Sequence, residues 1–151
     1  MELLRDFLAF IDENFDTFSG LDIRNEEDFS IVSFSDIGEE KESGMCVFYP
    51  VSITFKDDSN VITIRISKHF DKDMEIDVLN KINSLNYENS LYTYYANKFD
   101  FVILRENFEA KSVEDIFNKY KEAMDKARVN FLWFKEDKKS LRPRPVYNLA
   151  D

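Results

Sequence analysis

One cysteine, one histidine, one tryptophan, three glycines and three prolines in 151 residues leave several chemistries without material. Cys46 has no intrachain partner for a disulfide, and a lone thiol fits a reducing compartment, so the cytoplasm is the expected location. His69 is the only histidine, so a Ser-His-Asp or Cys-His arrangement would have to run through it, with Cys46 as the one available thiol. No nucleophile-elbow pattern flanks either residue, and both read as structural. A zinc site needs more Cys and His ligands than the chain has. A glycine-rich phosphate loop cannot be built from three scattered glycines. No apolar run approaches the length of a membrane span, and Met1 to Asp6 lacks the basic region of a signal peptide. Positive charge is also short: 20 Lys and Arg against 30 Asp and Glu give a net charge of −10. That balance excludes a protein whose whole surface grips nucleic acid or an anionic membrane.

What is present is the composition of one globular domain, large enough to bury a core without staples. Leu4, Phe7, Leu8, Ile11, Phe15 and Phe18 recur at helical spacing, with Ser19-Gly20 as a stop. An acidic stretch precedes an expected strand from Phe29 to Phe34, and the polar residues from Ser35 to Gly44 read as a loop. Val47, Tyr49, Val51, Ile53 and Phe55 alternate with polar positions, the period of a strand with one buried face. Pro50 places that strand at an edge or at a bulge, because it cannot donate to a ladder. Val61 to Ser67 completes a hairpin with Ile62, Ile64 and Ile66 on one face. A helix from Asp73 to Asn86 turns Met74, Val78, Leu79, Ile82 and Leu85 inward. Leu91 to Tyr95 and Phe99 to Arg105 form a second hairpin. Ser112 opens a last helix with a capping-box-like start, and its stripe is Val113, Ile116, Phe117, Tyr120, Met124, Ala127 and Phe131.

The expected architecture is therefore α+β, an antiparallel sheet of about five strands in the order α-β-β-β-α-β-β-α. Residues 1–134 form the domain and residues 135–151 a polar basic tail that stays extended through Arg142-Pro143-Arg144-Pro145. One apolar stripe per helix covers one sheet face and leaves the other for water, a dimer partner or a target.

The helix segment Leu79-Asn80-Lys81-Ile82-Asn83, the tyrosine-rich strand after it, Phe99 to Arg105, and Ser112 to Ile116 opening the last helix resemble the YbjN family. The resemblance spans Asp71 to about Ala127. It implies the fold of class I type III secretion chaperones and the role of a bacterial regulator, a non-enzymatic, often dimeric module that binds another polypeptide. It transfers no catalytic residue.

Asp71, Asp73, Glu75 and Asp77 alternate like a calcium loop, but Ile76 and Ile82 occupy the positions where an EF-hand needs Gly and a bidentate Glu. They read as a charged helix start, and no catalytic residue, cofactor or metal is expected. Asn80, Asn83 and Asn86 line one flank of the same helix, where Asn86 suits a C-cap. Tyr92 and Tyr94 share a strand face, and a half-exposed aromatic face suits a protein interface.

The charge is unevenly spread. Residues 1–44 hold 13 acidic and three basic side chains, whereas the remainder is neutral. Lys126 to Arg144 holds seven basic residues against Glu136 and Asp137. Two partner classes follow. A chaperone-like module binds a protein and forms a homodimer. Alternatively, an acidic inhibitor or immunity-type protein of the anti-restriction kind mimics nucleic-acid charge through Asp22, Glu26, Glu27, Asp28, Glu39, Glu40 and Glu42. Membrane binding is not expected, and nucleic acid only weakly through the basic tail.

Overall fold

The computed structural model describes residues 2–14, 19–88 and 92–143. Phe15, Phe18, Leu91, Arg144 and Pro145, invoked above, lie outside them. The elements are α1 (Glu2–Asn14), β1 (Ser19–Asn25), β2 (Phe29–Glu40), β3 (Met45–Lys56), β4 (Val61–His69), α2 (Glu75–Glu88), β5 (Thr93–Ala96), β6 (Phe101–Glu109), α3 (Val113–Asn130) and β7 (Leu141–Pro143). The α+β class holds, but the sheet has seven strands rather than about five. Their order is β1-β2-β3-β4-β6-β5, all antiparallel, and β7 pairs with β3 beside the end of β4.

The uncounted strands are those whose pairing is not written in apolar alternation. β1 is exposed along its length from Gly20 and is held by its ladder to β2. Ser35 to Glu40, expected as loop, continues β2 instead. Its polar groups find partners there: the Tyr120 hydroxyl donates to the Asp36 carboxylate, and Arg128 donates to the Ile37 carbonyl at 3.1 Å. β7 is only three residues long.

One core joins the inward face of the sheet to all three helices. Val32, Val51, Ile53, Phe55, Ile62, Ile64, Ile66, Val102 and Leu104 meet Phe7 and Ile11 of α1, Val78, Ile82 and Leu85 of α2, and Ile116, Met124 and Ala127 of α3. Leu79 is a correction: it is 45% exposed, turned away from the stripe of Val78, Ile82 and Leu85. Phe7 packs on Phe55 with ring centres 5.5 Å apart, and Phe10 packs on Phe117 at 5.3 Å.

Helix and strand ends are closed by side chains. Ser112 accepts from the Asp115 amide at 3.3 Å while Asp115 accepts from the Lys111 amide at 2.8 Å, a reciprocal cap shifted by one residue. Asn86, expected as a C-cap, does not end α2, which runs on to Glu88; its side chain binds β5 instead. Its amide nitrogen donates to the Tyr94 carbonyl at 2.8 Å and its oxygen accepts from the Tyr94 amide at 2.7 Å. One side chain thus occupies the outer hydrogen-bonding positions of Tyr94 in the short edge strand β5, which leaves the longer β1 as the sheet's less protected edge.

Candidate binding face of the sheet

The alternation that sends Ile62, Ile64 and Ile66 into the core sends Thr63, Arg65, Ser67 and His69 to the opposite face. Register extends this set across the sheet. Ser33, Ser52, Arg65, Arg105 and Thr93 are successive partners on β2, β3, β4, β6 and β5. Arg65 and Arg105 are thus directly opposed across a ladder. Arg65 Nη1 donates to Thr54 Oγ1 at 3.4 Å, and the Arg105 guanidinium lies 5.7 Å from the centre of the Tyr95 ring. Among the described residues neither guanidinium forms an ion pair. Thr63 donates to Asn107 at 2.6 Å in the next row.

A shallow groove crosses this face. One part, about 310 Å³, is lined by Ser33, Ser35, Pro50, Ser52 and Ser67 among others. It continues through Ser35 and Pro50 into a pocket of about 260 Å³ walled by Phe48, His69, Phe101, Ser140 and Arg142. Pro50 sits where β3 changes partner, after β7 has paired Met45 to Val47 and before β4 begins at Val51. β3 is internal to the sheet, and the proline uses a local gap in the ladder rather than an edge strand. The His69 ring meets Phe101 edge to face at 4.9 Å, and its Nδ1 lies 3.8 Å from Asp137. Arg142 stands 5.7 Å from the Phe48 ring centre, and Phe48 is buried although it faces this side.

The wall carrying Ser140 and Arg142 is held from the core side of the sheet. Lys68 is fully buried and donates to the Phe131 carbonyl at 2.9 Å. Its ammonium is 3.6 Å from Glu136, which binds Lys41 at 2.7 Å, and Lys41 reaches Glu39 at 3.0 Å. Burial pushes the Lys68 ammonium below its ordinary value. Burial alone would raise Glu136, but the Lys41 hydrogen bond and the field of Lys68 hold it below its usual range. The chain from Phe131 to Pro143 thereby folds around the end of β4, also tied by Phe70 opposite Glu136 and by the Asp71 amide on the Lys135 carbonyl at 3.1 Å.

The acidic residues singled out in the sequence do not form one surface. Asp22 is on β1 and Glu26, Glu27 and Asp28 occupy the β1–β2 turn, whereas Glu39, Glu40 and Glu42 lie at the far end of β2. Eleven steps of β2 put roughly 35 Å between the turn carboxylates and Glu40, and Asp22, opposite Ser33, lies part-way between them. Glu26 pairs with Arg24 at 3.0 Å and Glu39 with Lys41. The first group gains neighbours that sequence order hid: the Asp57 amide donates to the Asp28 carbonyl at 2.9 Å, bringing Asp57 and Asp58 alongside. Asp57 and Asp58 also line a broad groove with Glu2 and Asp6. Among the described residues no group of His, Cys, Asp and Glu converges to hold a metal ion.

Tyr92 and Tyr94 are corrected outright. Both turn toward the helices, at 3% and 1% exposure, so neither offers surface to a partner. Asn130 donates to the Tyr94 hydroxyl at 2.6 Å, while the Tyr92 hydroxyl and one oxygen of the buried Glu106 have no hydrogen-bond partner among the described residues. It is Tyr95 that faces the open side, beneath Arg105. Cys46 and His69 do not form a dyad: Cys46 is buried, with Glu40 and Arg142 as its strand partners, and His69 packs on Phe101, its Nδ1 3.8 Å from Asp137 and without a hydrogen-bond partner among the described residues.

No family model, curated protein or solved structure matches this chain. The open face must be read from its own chemistry: two opposed cations, a row of hydroxyls and an aromatic pocket at one end. None of the helices is long and apolar enough to cross a membrane, among the described residues.

Proposed function

We propose that this chain is a non-enzymatic protein-binding module, of the regulatory or chaperone-like kind that acts in the bacterial cytoplasm, and that it engages its partner through the open sheet face. The observation that carries this reading is the pair Arg65–Arg105, half-exposed, beside a groove and without an ion-pair partner among the described residues. Cations that fold without a counter-charge are available to a ligand, and arginine is enriched where binding surfaces concentrate their energy. A photo-crosslinking side chain placed at Thr54 or Ser67 on the open face, and for comparison at Glu122 on α3, tests it in the full chain. Protein adducts from the first two positions that are absent from the third support the reading. Adducts from Glu122 alone would overturn it.

A second reading has an observation of its own. The β1–β2 and β3–β4 turns bring Glu26, Glu27, Asp28, Asp57 and Asp58 to one end of the sheet, and an acidic inhibitor would use that end to displace nucleic acid from its target. Neutralising these five carboxylates while leaving Arg65 and Arg105 intact separates the two readings: lost target binding favours the inhibitor, and retained binding the open face.

A further inference from the structure

We infer that the open face recognises a phosphorylated side chain of its partner, held between Arg65 and Arg105; this rests on the protein-binding reading above. Directly opposed residues on a ladder have Cβ atoms about 4.5–5.5 Å apart, so the two long guanidiniums, which lean apart toward Thr54 and over Tyr95, can swing together on one anionic group. A carboxylate would balance one of the two cations. A phosphomonoester carries roughly −1.5 to −2 charges and three acceptor oxygens, which matches two guanidinium forks in charge and in donor count. Ser52 on one side and Thr93 on the other continue the same row and add hydroxyl donors.

The source of the phosphate is a polypeptide rather than a polynucleotide. Nucleic-acid binding commonly draws on some 6–10 cationic contacts. This face offers Arg24, Lys56, Arg65, Arg105 and Arg142, of which Arg24 is already paired to Glu26, with Asp22 at the β1 edge and Glu109 at the end of β6, on a chain of net charge −10. An extended peptide also explains the second feature of the face. From Arg65 to His69 is four strand residues, about 13 Å. A peptide running along β4 with its phosphate at the arginines therefore delivers the side chain four residues away to the 260 Å³ pocket between Phe48 and Phe101. That pocket is shaped for one apolar or aromatic side chain.

The test uses the full chain and a fluorescein-labelled degenerate peptide pool with a fixed phosphoserine and a phenylalanine four residues away, read by anisotropy. The same pool with serine and a twelve-residue oligothymidine are the comparisons. The expected result is at least tenfold tighter binding of the phosphorylated pool, lost in Arg65→Gln and in Arg105→Gln, with the oligothymidine weaker than the phosphopeptides. Titration of the unsubstituted protein with O-phosphoserine, followed at the arginine Nε–H NMR signals, reads the same site in the native chain, with the double variant used only to assign the signals. Two arginine signals should shift together and saturate, and both should vanish from the spectrum of the double variant. Equal affinity for the serine and phosphoserine pools, or a phosphate preference that survives both substitutions, would overturn the inference. Tighter binding of the oligothymidine would overturn it in favour of nucleic acid. If crosslinks from Thr54 and Ser67 persist while the phosphate preference is missing, the binding face stands and only its phosphate specificity falls. If the crosslinks are also absent, both fall.

Discussion

Gly38 is the position where one added carbon should do most harm. It lies in β2 at an irregularity between Ile37 and Glu40, and the backbone there crosses the ring of Tyr49. A Cβ at this position would press on Tyr49 Cζ and lie 2.6 and 2.7 Å from its two Cε atoms. Ordinary carbon contacts fall at about 3.5–4.0 Å, so the overlap is close to 1 Å over three ring atoms. The ring cannot yield, because Tyr49 is 1% exposed and meets Phe131 edge to face at 5.6 Å. The strain must instead open the β2–β3 ladder near Glu40 and Cys46. Overpacking of this kind costs about 1–3 kcal/mol, and a boxed-in ring places Gly38→Ala in the upper half, about 2–3 kcal/mol. For a chain of this size that lowers Tm by roughly 4–12 °C. Urea unfolding followed by circular dichroism measures the loss, with an unchanged slope against denaturant. Tyr49→Leu removes the ring atoms that clash, so the double variant should fall short of additivity by about 1 kcal/mol or more. A loss below about 0.5 kcal/mol for Gly38→Ala, or strict additivity with Tyr49→Leu, would refute the contact.

Two further outcomes are expected. Glu106 is nearly buried, one of its oxygens is unpaired among the described residues, and burial raises its carboxyl above the usual value against the pull of Lys119 at 3.4 Å. A raised carboxyl binds more protons folded than unfolded, so its penalty is full above the folded pKa and fades as pH falls toward 4.5. Glu106→Gln should therefore gain about 1 kcal/mol at pH 7, the unpaired-oxygen cost less the weak Lys119 bridge, and nothing at pH 4; equal gains at both pH values in urea melts would contradict it. Arg65→Thr should also stabilise, since like charges directly opposed on a ladder cost about 0.2–1 kcal/mol. The gain should shrink in about 1 M salt, where the Debye length falls to about 3 Å, and a loss of stability at low salt would show that the pair is not repulsive.

Elements carried by apolar alternation or helical spacing were legible in the residues. β3 and β4 follow from Val47 to Phe55 and from Ile62 to Ile66, and α3 follows from its Ser112 cap and its buried stripe. β1, the second half of β2 and β7 were not: β1 is exposed and held only by its ladder to β2, with no apolar alternation to mark it, and the other two are stabilised by distant partners, Asp36 by Tyr120 and Arg142 by Phe48. Tyr92 and Tyr94 failed for a different reason. Alternation states which residues share a face but not which face is inside, and with Leu91, Thr93 and Tyr95 on the other side both choices were apolar enough. The outward position of Arg65 was readable from the isoleucines around it. Its meeting with Arg105 was not, since β4 and β6 are joined across α2 and β5 and only the strand order opposes them.

The opposed arginines are where folding and binding make opposite demands. The chain has 30 acidic side chains from which to supply a counter-charge, and it supplies one to Arg24, to Lys41, to Lys68 and to Lys119. At the centre of the open face it supplies Thr54 and the Tyr95 ring instead. Packing does not require this, because Thr63 and Ser67 on the same strand face are small and neutral. A residue pair that weakens its own ladder is expected where a site gives up stability for function. Stability and affinity should then move in opposite directions at this one place: Arg65→Thr firms the fold and loses the ligand, whereas Thr63→Val on the same strand, a β-branched exchange of similar size, leaves the ligand bound. A variant series in which both arginines can be removed with gain of stability and no loss of binding would leave the pair without a reason in either.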